Sequence, residues 1–226
     1  MTGLAEIAFP LRLSFQVAVL ATVFTAIAGV ALAYLFAFRD FRGKSVLEVL
    51  VTLPMVLPPV VTGYYLLQVV GRTGLLGTAS GVLLGEPVTL TFTWQAAVLA
   101  AFAVSMPLTV RTAQSAFEGL DRSLLDSSLT LGRSEFQTFW FVVLPLSARG
   151  IMAGLVLSFA RALGEFGATI VVAGNIPGRT NTMPLELYTA VIYGDWRSAA
   201  LLVGVFTAVS AAFLLAAGRL GRLVTP

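Results

Sequence analysis

Two charged side chains sit where hydrocarbon would reject them. Arg161 and Glu165 lie inside an apolar run four residues apart, so a continuous helix would set both on one face as an ion pair. Each charge costs roughly 2.5 kcal/mol or more in a bilayer core, so the pair must face protein or water. It reads first as a salt bridge tying helices together. Substrate contact is the second reading, weaker because a neutralised Arg is a poor anion trap. Other chemistry is scarce. The chain has no Cys and no His, which excludes thiolate or imidazole metal sites, disulfides, haem ligation through either residue and serine–histidine catalysis. The 11 Asp and Glu fall mostly outside the apolar runs and form no paired active-site carboxylates, so neither a membrane enzyme nor a metal site is expected. Gly43-Lys44-Ser45 has the residues that end a phosphate-binding loop, but the glycine required five positions before Gly43 is Phe38, so no ATP site is expected there.

The elements that must position these residues follow from composition. The chain has 226 residues, 58% hydrophobic and 11% charged, with mean hydropathy +0.92. That is too apolar for a domain whose surface is wetted by charged side chains. The apolar runs reach the roughly 20 residues a helix needs to cross a bilayer, and they are continuous instead of alternating. The expected fold class is therefore an all-α integral membrane bundle of about five transmembrane helices in one domain, 1–226, at about 13–38, 46–70, 94–111, 151–173 and 198–217. The first run is too long for a signal peptide and ends in the basic stop Arg39-Asp40-Phe41-Arg42-Gly43-Lys44, so it is read as a retained helix. Residues 71–93 read as an external excursion with one short helix, and 174–184 as an external loop before a second short helix over 185–193.

The second span carries Pro54, Pro58 and Pro59, so its helix must kink or open and leave carbonyls without their usual partners. Two readings stand: a kink that improves packing, or a wall of a translocation pathway. Pro58, Pro59, Thr62, Gly63, Tyr64, Ser105, Ser158 and Thr169 are the pathway or gate candidates. For any single hydroxyl among them, a bond to its own helix backbone is the simpler account. Gly150 and Gly154 have Gly-x-x-x-Gly spacing, a weak signal for close helix packing.

Between the third and fourth spans lies a stretch that is polar yet patterned, 121–145. Leu124, Leu125, Leu129, Phe136, Phe139 and Trp140 recur at helical spacing, Gly132 interrupts them, and Ser134 with Gln137 has capping-box spacing. This predicts two short helices hinged at a glycine. Counting basic residues beside the spans gives nine on one side (Arg39, Arg42, Lys44, Arg111, Arg122, Arg133, Arg149, Arg219, Arg222) and four on the other (Arg12, Arg72, Arg179, Arg197). The positive-inside rule then places the amino terminus outside and the hinged segment in the cytoplasm. The net charge of +3 belongs to topology and does not form a nucleic-acid stripe.

On these residues the chain resembles the permease subunits of bacterial ATP-binding-cassette importers, whose cytoplasmic motif is Glu-Ala-Ala, three residues, Gly, nine residues, Ile-x-Leu-Pro. Here Asp126-Ser127-Ser128 is followed after three residues by Gly132 and after nine more by Val142-Val143-Leu144-Pro145. The spacing is complete, while Asp and two serines replace the Glu and alanines. The stretches 53–64, Ala160-Arg161-Ala162-Leu163-Gly164-Glu165-Phe166-Gly167 and Asn175-Ile176-Pro177-Gly178 are similar to molybdate importer permeases, and sulfate permeases share the second. The resemblance implies a type I importer fold in a bacterial-type inner membrane, with Asp126, Ser127, Ser128, Gly132, Val142, Leu144 and Pro145 as the ATPase-coupling residues. It implies cytoplasmic ATPase subunits that hold ATP and Mg, an external oxyanion-binding protein, and a second copy of this chain in the bilayer, with no cofactor in the chain itself. Molybdate is the expected cargo, with sulfate or tungstate as alternatives. An ion-coupled carrier or channel is the rival, and it would leave the patterned cytoplasmic segment unexplained.

Overall fold

The computed structural model describes residues 4–223, with side chains over 7–218. The side chains of Arg219 and Arg222, used in the charge count, lie outside the described residues, as do the first three and last three positions of the 1–226 domain reading. No strand occurs among the described residues. Twelve α-helices and one π-turn follow in order: α1 Leu4–Phe38, α2 Lys44–Val56, α3 Pro59–Val70, α4 Leu75–Leu84, α5 Trp94–Glu118, α6 Arg122–Thr130, α7 Glu135–Thr138, the π-turn Phe139–Val143, α8 Leu144–Leu146, α9 Ala148–Leu163, α10 Gly167–Val172, α11 Met183–Ile192 and α12 Trp196–Leu223.

Five segments are long and apolar enough to cross a bilayer: Ile7–Phe38, Pro59–Leu84, Trp94–Glu118, Glu135–Leu163 and Trp196–Gly218. Their bounds depart from the sequence expectation in instructive ways. The first helix begins well before residue 13 and runs through Pro10, which lies inside it. The second span, 46–70, is two helices, since Leu57 and Pro58 leave the helix with extended backbone and Pro59 restarts it as the first helical residue. The fourth span, 151–173, is also two helices, parted by Gly164, Glu165 and Phe166. Arg161 and Glu165 therefore do not share one continuous helix. Arg161 is in the last turn of α9 and Glu165 is in the break.

The centre of the bundle is α5, packed between α1 and α9. Its buried face is built from alanines, Ala96, Ala97, Ala100, Ala101 and Ala113, whose small side chains let neighbouring backbones approach. The same logic explains Gly150 and Gly154. A Cβ on Gly150 would lie 2.4 Å from the Ala116 Cβ, and one on Gly154 would lie 2.0 Å from the Thr112 Oγ1. The Gly-x-x-x-Gly spacing is a close seam between α9 and α5 within the chain. At the carboxyl end of α1, Tyr34, Phe117, Phe139, Val143 and Ile151 close a second apolar cluster that joins α1, α5 and α9 to the hinged segment.

The candidate coupling segment and mid-membrane site

The interval 121–145 folds as a capped, jointed pair. Asp121 opens α6 by accepting the Ser123 N–H at 2.9 Å, and that N–H together with the Ser123 hydroxyl holds its carboxyl below the usual carboxylate range. At the other end Gly132 takes φ +86°, its N–H reaches the Leu129 carbonyl at 2.9 Å, and Arg133 N–H reaches the Ser128 carbonyl at 3.2 Å. These two bonds are the Schellman pattern, which needs a residue at ease in the left-handed region. Ser134 then starts α7 with a reciprocal capping box to Gln137. A hydroxyl clasp, Ser128 Oγ to Thr138 Oγ1 at 3.0 Å, is buried between the two helices and fixes their angle. Ser128, which departs from the family's alanine, thus supplies a bond alanine could not make.

Asp126 and Ser127 are exposed, whereas Val142 and Leu144 are partly buried on the π-turn and α8. The turn is widened so that Leu144 N–H bonds Phe139 O, five residues back. In a regular helix the ring of Pro145 would strike the carbonyl four residues before it, and the wider turn relieves that clash. Beside the joint, Leu131 is 84% exposed, Phe136 71% and Phe141 67%. Exposed apolar side chains of this kind are what contact with a protein partner or with the membrane would cover. Arg39, just past α1, forms an ion pair with Glu135, which ties α7 to the first span, although both side chains are exposed and such a pair contributes little stability alone. Nearby, Gly43 sits at φ +89° before α2, and Lys44 Nζ lies 3.2 Å from Asp40 Oδ1, so the lysine is used locally.

The pathway candidates separate into two groups. Ser105, Ser158 and Thr169 are buried among helices. Ser158 Oγ donates to the Ser105 carbonyl at 2.8 Å and shares a 2.8 Å hydrogen bond with Thr109 Oγ1, a residue that had no motif to announce it. The Ser158 and Thr109 hydroxyls join α9 to α5, while the Ser105 hydroxyl reaches its own helix at the Phe102 carbonyl, 3.5 Å away. Gly63 is a packing point as well: a Cβ there would be 2.8 Å from the Val171 Cβ and 2.9 Å from the Ala168 carbonyl on α10. Thr62 is buried with an Oγ1 that has no hydrogen-bond partner. Tyr64 is more than half exposed on the outer face of α3, beside its ring neighbour Tyr65.

The two helix breaks meet. A Cβ on Gly167 would lie 2.8 Å from the Pro59 Cβ, so the start of α10 abuts the start of α3. Glu165 fills the break: Oε1 accepts the Ala168 N–H at 2.7 Å, and Oε2 lies 2.7 Å from Arg161 Nη1. The second contact is ionic by distance, while Oε2 has no aligned hydrogen-bond donor. No group of three or more acidic side chains able to hold a metal occurs among the described residues.

Comparison with known proteins gives this geometry its class. Residues 25–224 match the family described as "Binding-protein-dependent transport system inner membrane component". The chain belongs to that family: it is an inner membrane component of a binding-protein-dependent transport system. Among its relatives, the molybdenum transport system permease protein ModB of Escherichia coli (strain K12) is 45% identical over 179 residues, 79% of this chain and 77% of that protein. The protein of the same description from Haemophilus influenzae is 42% identical over 181 residues, 80% and 78% of the two chains. The sulfate transport system permease protein CysW of Synechococcus elongatus is 36% identical over 199 residues, 86% of this chain and 68% of that one. The fold matches a bacterial ABC transporter that imports the polysaccharide alginate, with TM-score 0.81 at 15% identity, covering 98% of this chain and 80% of that one. It also matches the MetNI methionine ABC transporter in an inward-facing conformation, with TM-score 0.76 at 14% identity over the full length of both. At such identities these two matches speak for the fold alone.

Proposed function

We propose that this chain is the membrane subunit of an ATP-driven molybdate importer, working as a pair of copies with two cytoplasmic ATPases and an external oxyanion-binding protein. ATP and Mg reside on the ATPases. The observation that carries the ATPase part is the jointed segment at 121–145, whose bonded joint exposes Leu131, Phe136 and Phe141. An apolar knob on a rigid elbow transmits a push, and the cluster of Tyr34, Phe117 and Phe139 passes it to α1 and α5. Approach of the ATPases would tilt the helices, receive the anion from outside, and release it inward after hydrolysis.

Molybdate as cargo is supported by the relatives of 42% and 45% identity described as molybdenum permeases. Sulfate is the second reading, favoured by the 36% identical sulfate permease. An ion-coupled carrier would leave the capped inner elbow without a task. The test is uptake of molybdate and sulfate into vesicles holding the chain with its neighbouring ATPase and binding protein. The expected result is molybdate uptake that needs ATP and resists ionophores. Uptake by the purified chain alone, driven by an ion gradient, would refute the reading.

A further inference from the structure

We infer that Arg161 is the transit contact for the oxyanion at mid-membrane, held in place by Glu165; this rests on the oxyanion-importer reading above. Four observations converge on that side chain. Its position is deep: at about 1.5 Å per residue, Arg161 lies roughly 20 Å along α9 from Ala148, and α2 brings Leu57 a similar distance from Lys44. It therefore sits where both broken helices part, at the level of the Pro59–Gly167 contact. Second, its side chain is 34% exposed while that of Glu165 is 2% exposed. An exposed guanidinium at that depth cannot face hydrocarbon without a large cost, so this side of α9 meets water or another protein surface.

Third, Glu165 is not free to move. One of its oxygens is committed to the Ala168 N–H at the start of α10, and the other lies against Arg161 Nη1. The carboxylate anchors the base of the guanidinium, and among the described residues no second carboxylate pairs with Arg161. Among the described residues, its remaining N–H donors are the only cationic ones within the membrane-spanning helices between the inner and outer basic rings. Fourth, the pair is neutral overall. A tetrahedral dianion would gain charge-assisted hydrogen bonds from the guanidinium while the nearby carboxylate limits how long it stays. Conduction requires that combination, since a site that binds too well does not release.

The experiment uses the complete importer reconstituted in vesicles. Because the chain has no Cys, a single Leu157→Cys variant reports this face specifically; Leu157 is one turn before Arg161 and 48% exposed. Labelling of that thiol by a small reagent is followed during turnover, with molybdate and with sulfate. Slower labelling in the presence of the carried anion, lost when Arg161→Gln and Glu165→Gln are added together, is the expected result. That neutral pair should insert normally and hydrolyse ATP, yet show uptake lower by about tenfold or more, the size of one charge-assisted contact. Wild-type uptake by the doubly neutral importer, or anion protection that survives in it, would overturn the inference and leave a structural salt bridge. An importer that carries sulfate and not molybdate would correct the cargo alone, because the labelling is read with whichever anion is moved.

Discussion

Ser158 shows how far a single residue can be read from sequence. Its hydroxyl was visible inside an apolar run, but its partners, the Ser105 carbonyl and Thr109 Oγ1, come from a helix some fifty residues earlier and no local pattern names them. Replacing Ser158 with Ala leaves Thr109 Oγ1 and the carbonyl without that bond between α5 and α9. The cost is about 1–3 kcal/mol for buried groups left unpaired. A thermal melt of the detergent-solubilised chain should shift down, while uptake per folded molecule stays near wild type. Uptake loss without a melting shift would return Ser158 to the pathway. Glu165→Gln makes the complementary case. The amide still accepts the Ala168 N–H, but Arg161, whose side chain is 34% exposed, loses the counter-charge of the buried Glu165, at a cost below the about 3–5 kcal/mol of a fully buried pair. The amount of chain recovered in membranes should fall several-fold, and adding Arg161→Gln should restore it. Equal recovery of the single and double variants would show that the pair has no role in assembly.

At the scale of elements, the hinged segment was the most legible part because its signals are local. Ser134 and Gln137 are three residues apart and Gly132 is two before Ser134, so both caps could be read from spacing. The π-turn was not legible, since Pro145 demands some distortion but does not say which turn absorbs it. The meeting of the two helix breaks was equally hidden, as Pro59 and Gly167 are more than a hundred residues apart. Gly132 tests the legible part. Open space surrounds it, so a larger residue is resisted by backbone conformation alone, at about 1–2 kcal/mol for the left-handed region. Gly132→Val should loosen the joint and raise the ATP hydrolysed per anion imported, with insertion intact; Gly132→Asn, which tolerates that region, should stay close to wild type. An unchanged ratio for the valine variant would remove the elbow from the mechanism. Gly154→Leu tests the seam instead. No room exists beside Thr112 Oγ1 and the Thr109 Cα at 2.9 Å, so α9 must move off α5, and overpacking of this kind costs about 1–3 kcal/mol or more. Its signature is a lower melting temperature with loss of the folded chain, whatever ATP does.

For the whole molecule, the decisive quantity is which side of the membrane each surface faces. The basic count of nine against four was read from sequence, and the structure adds an independent constraint: Arg39 and Glu135 touch, so the end of α1 and the start of α7 must lie on the same side. The hydroxyl of Ser14, near the other end of α1, accepts the Met183 N–H at 2.8 Å, which puts the 174–184 loop on the opposite side. These two contacts make the orientation a single yes-or-no choice for all the connecting segments together. Since the chain lacks Cys, Leu131→Cys, 84% exposed, and Arg179→Cys, exposed in the 174–184 loop, can each be probed with a thiol reagent that does not cross lipid. In intact cells Arg179→Cys should label and Leu131→Cys should not; in inside-out vesicles the pattern should reverse. Under the proposed docking of the ATPase on the elbow, washing that subunit off the vesicles should then raise labelling of Leu131→Cys several-fold. Labelling of Leu131→Cys from outside would invert the molecule and remove the ATPase from its elbow, and labelling indifferent to the ATPase would place the docking surface elsewhere on the inner face.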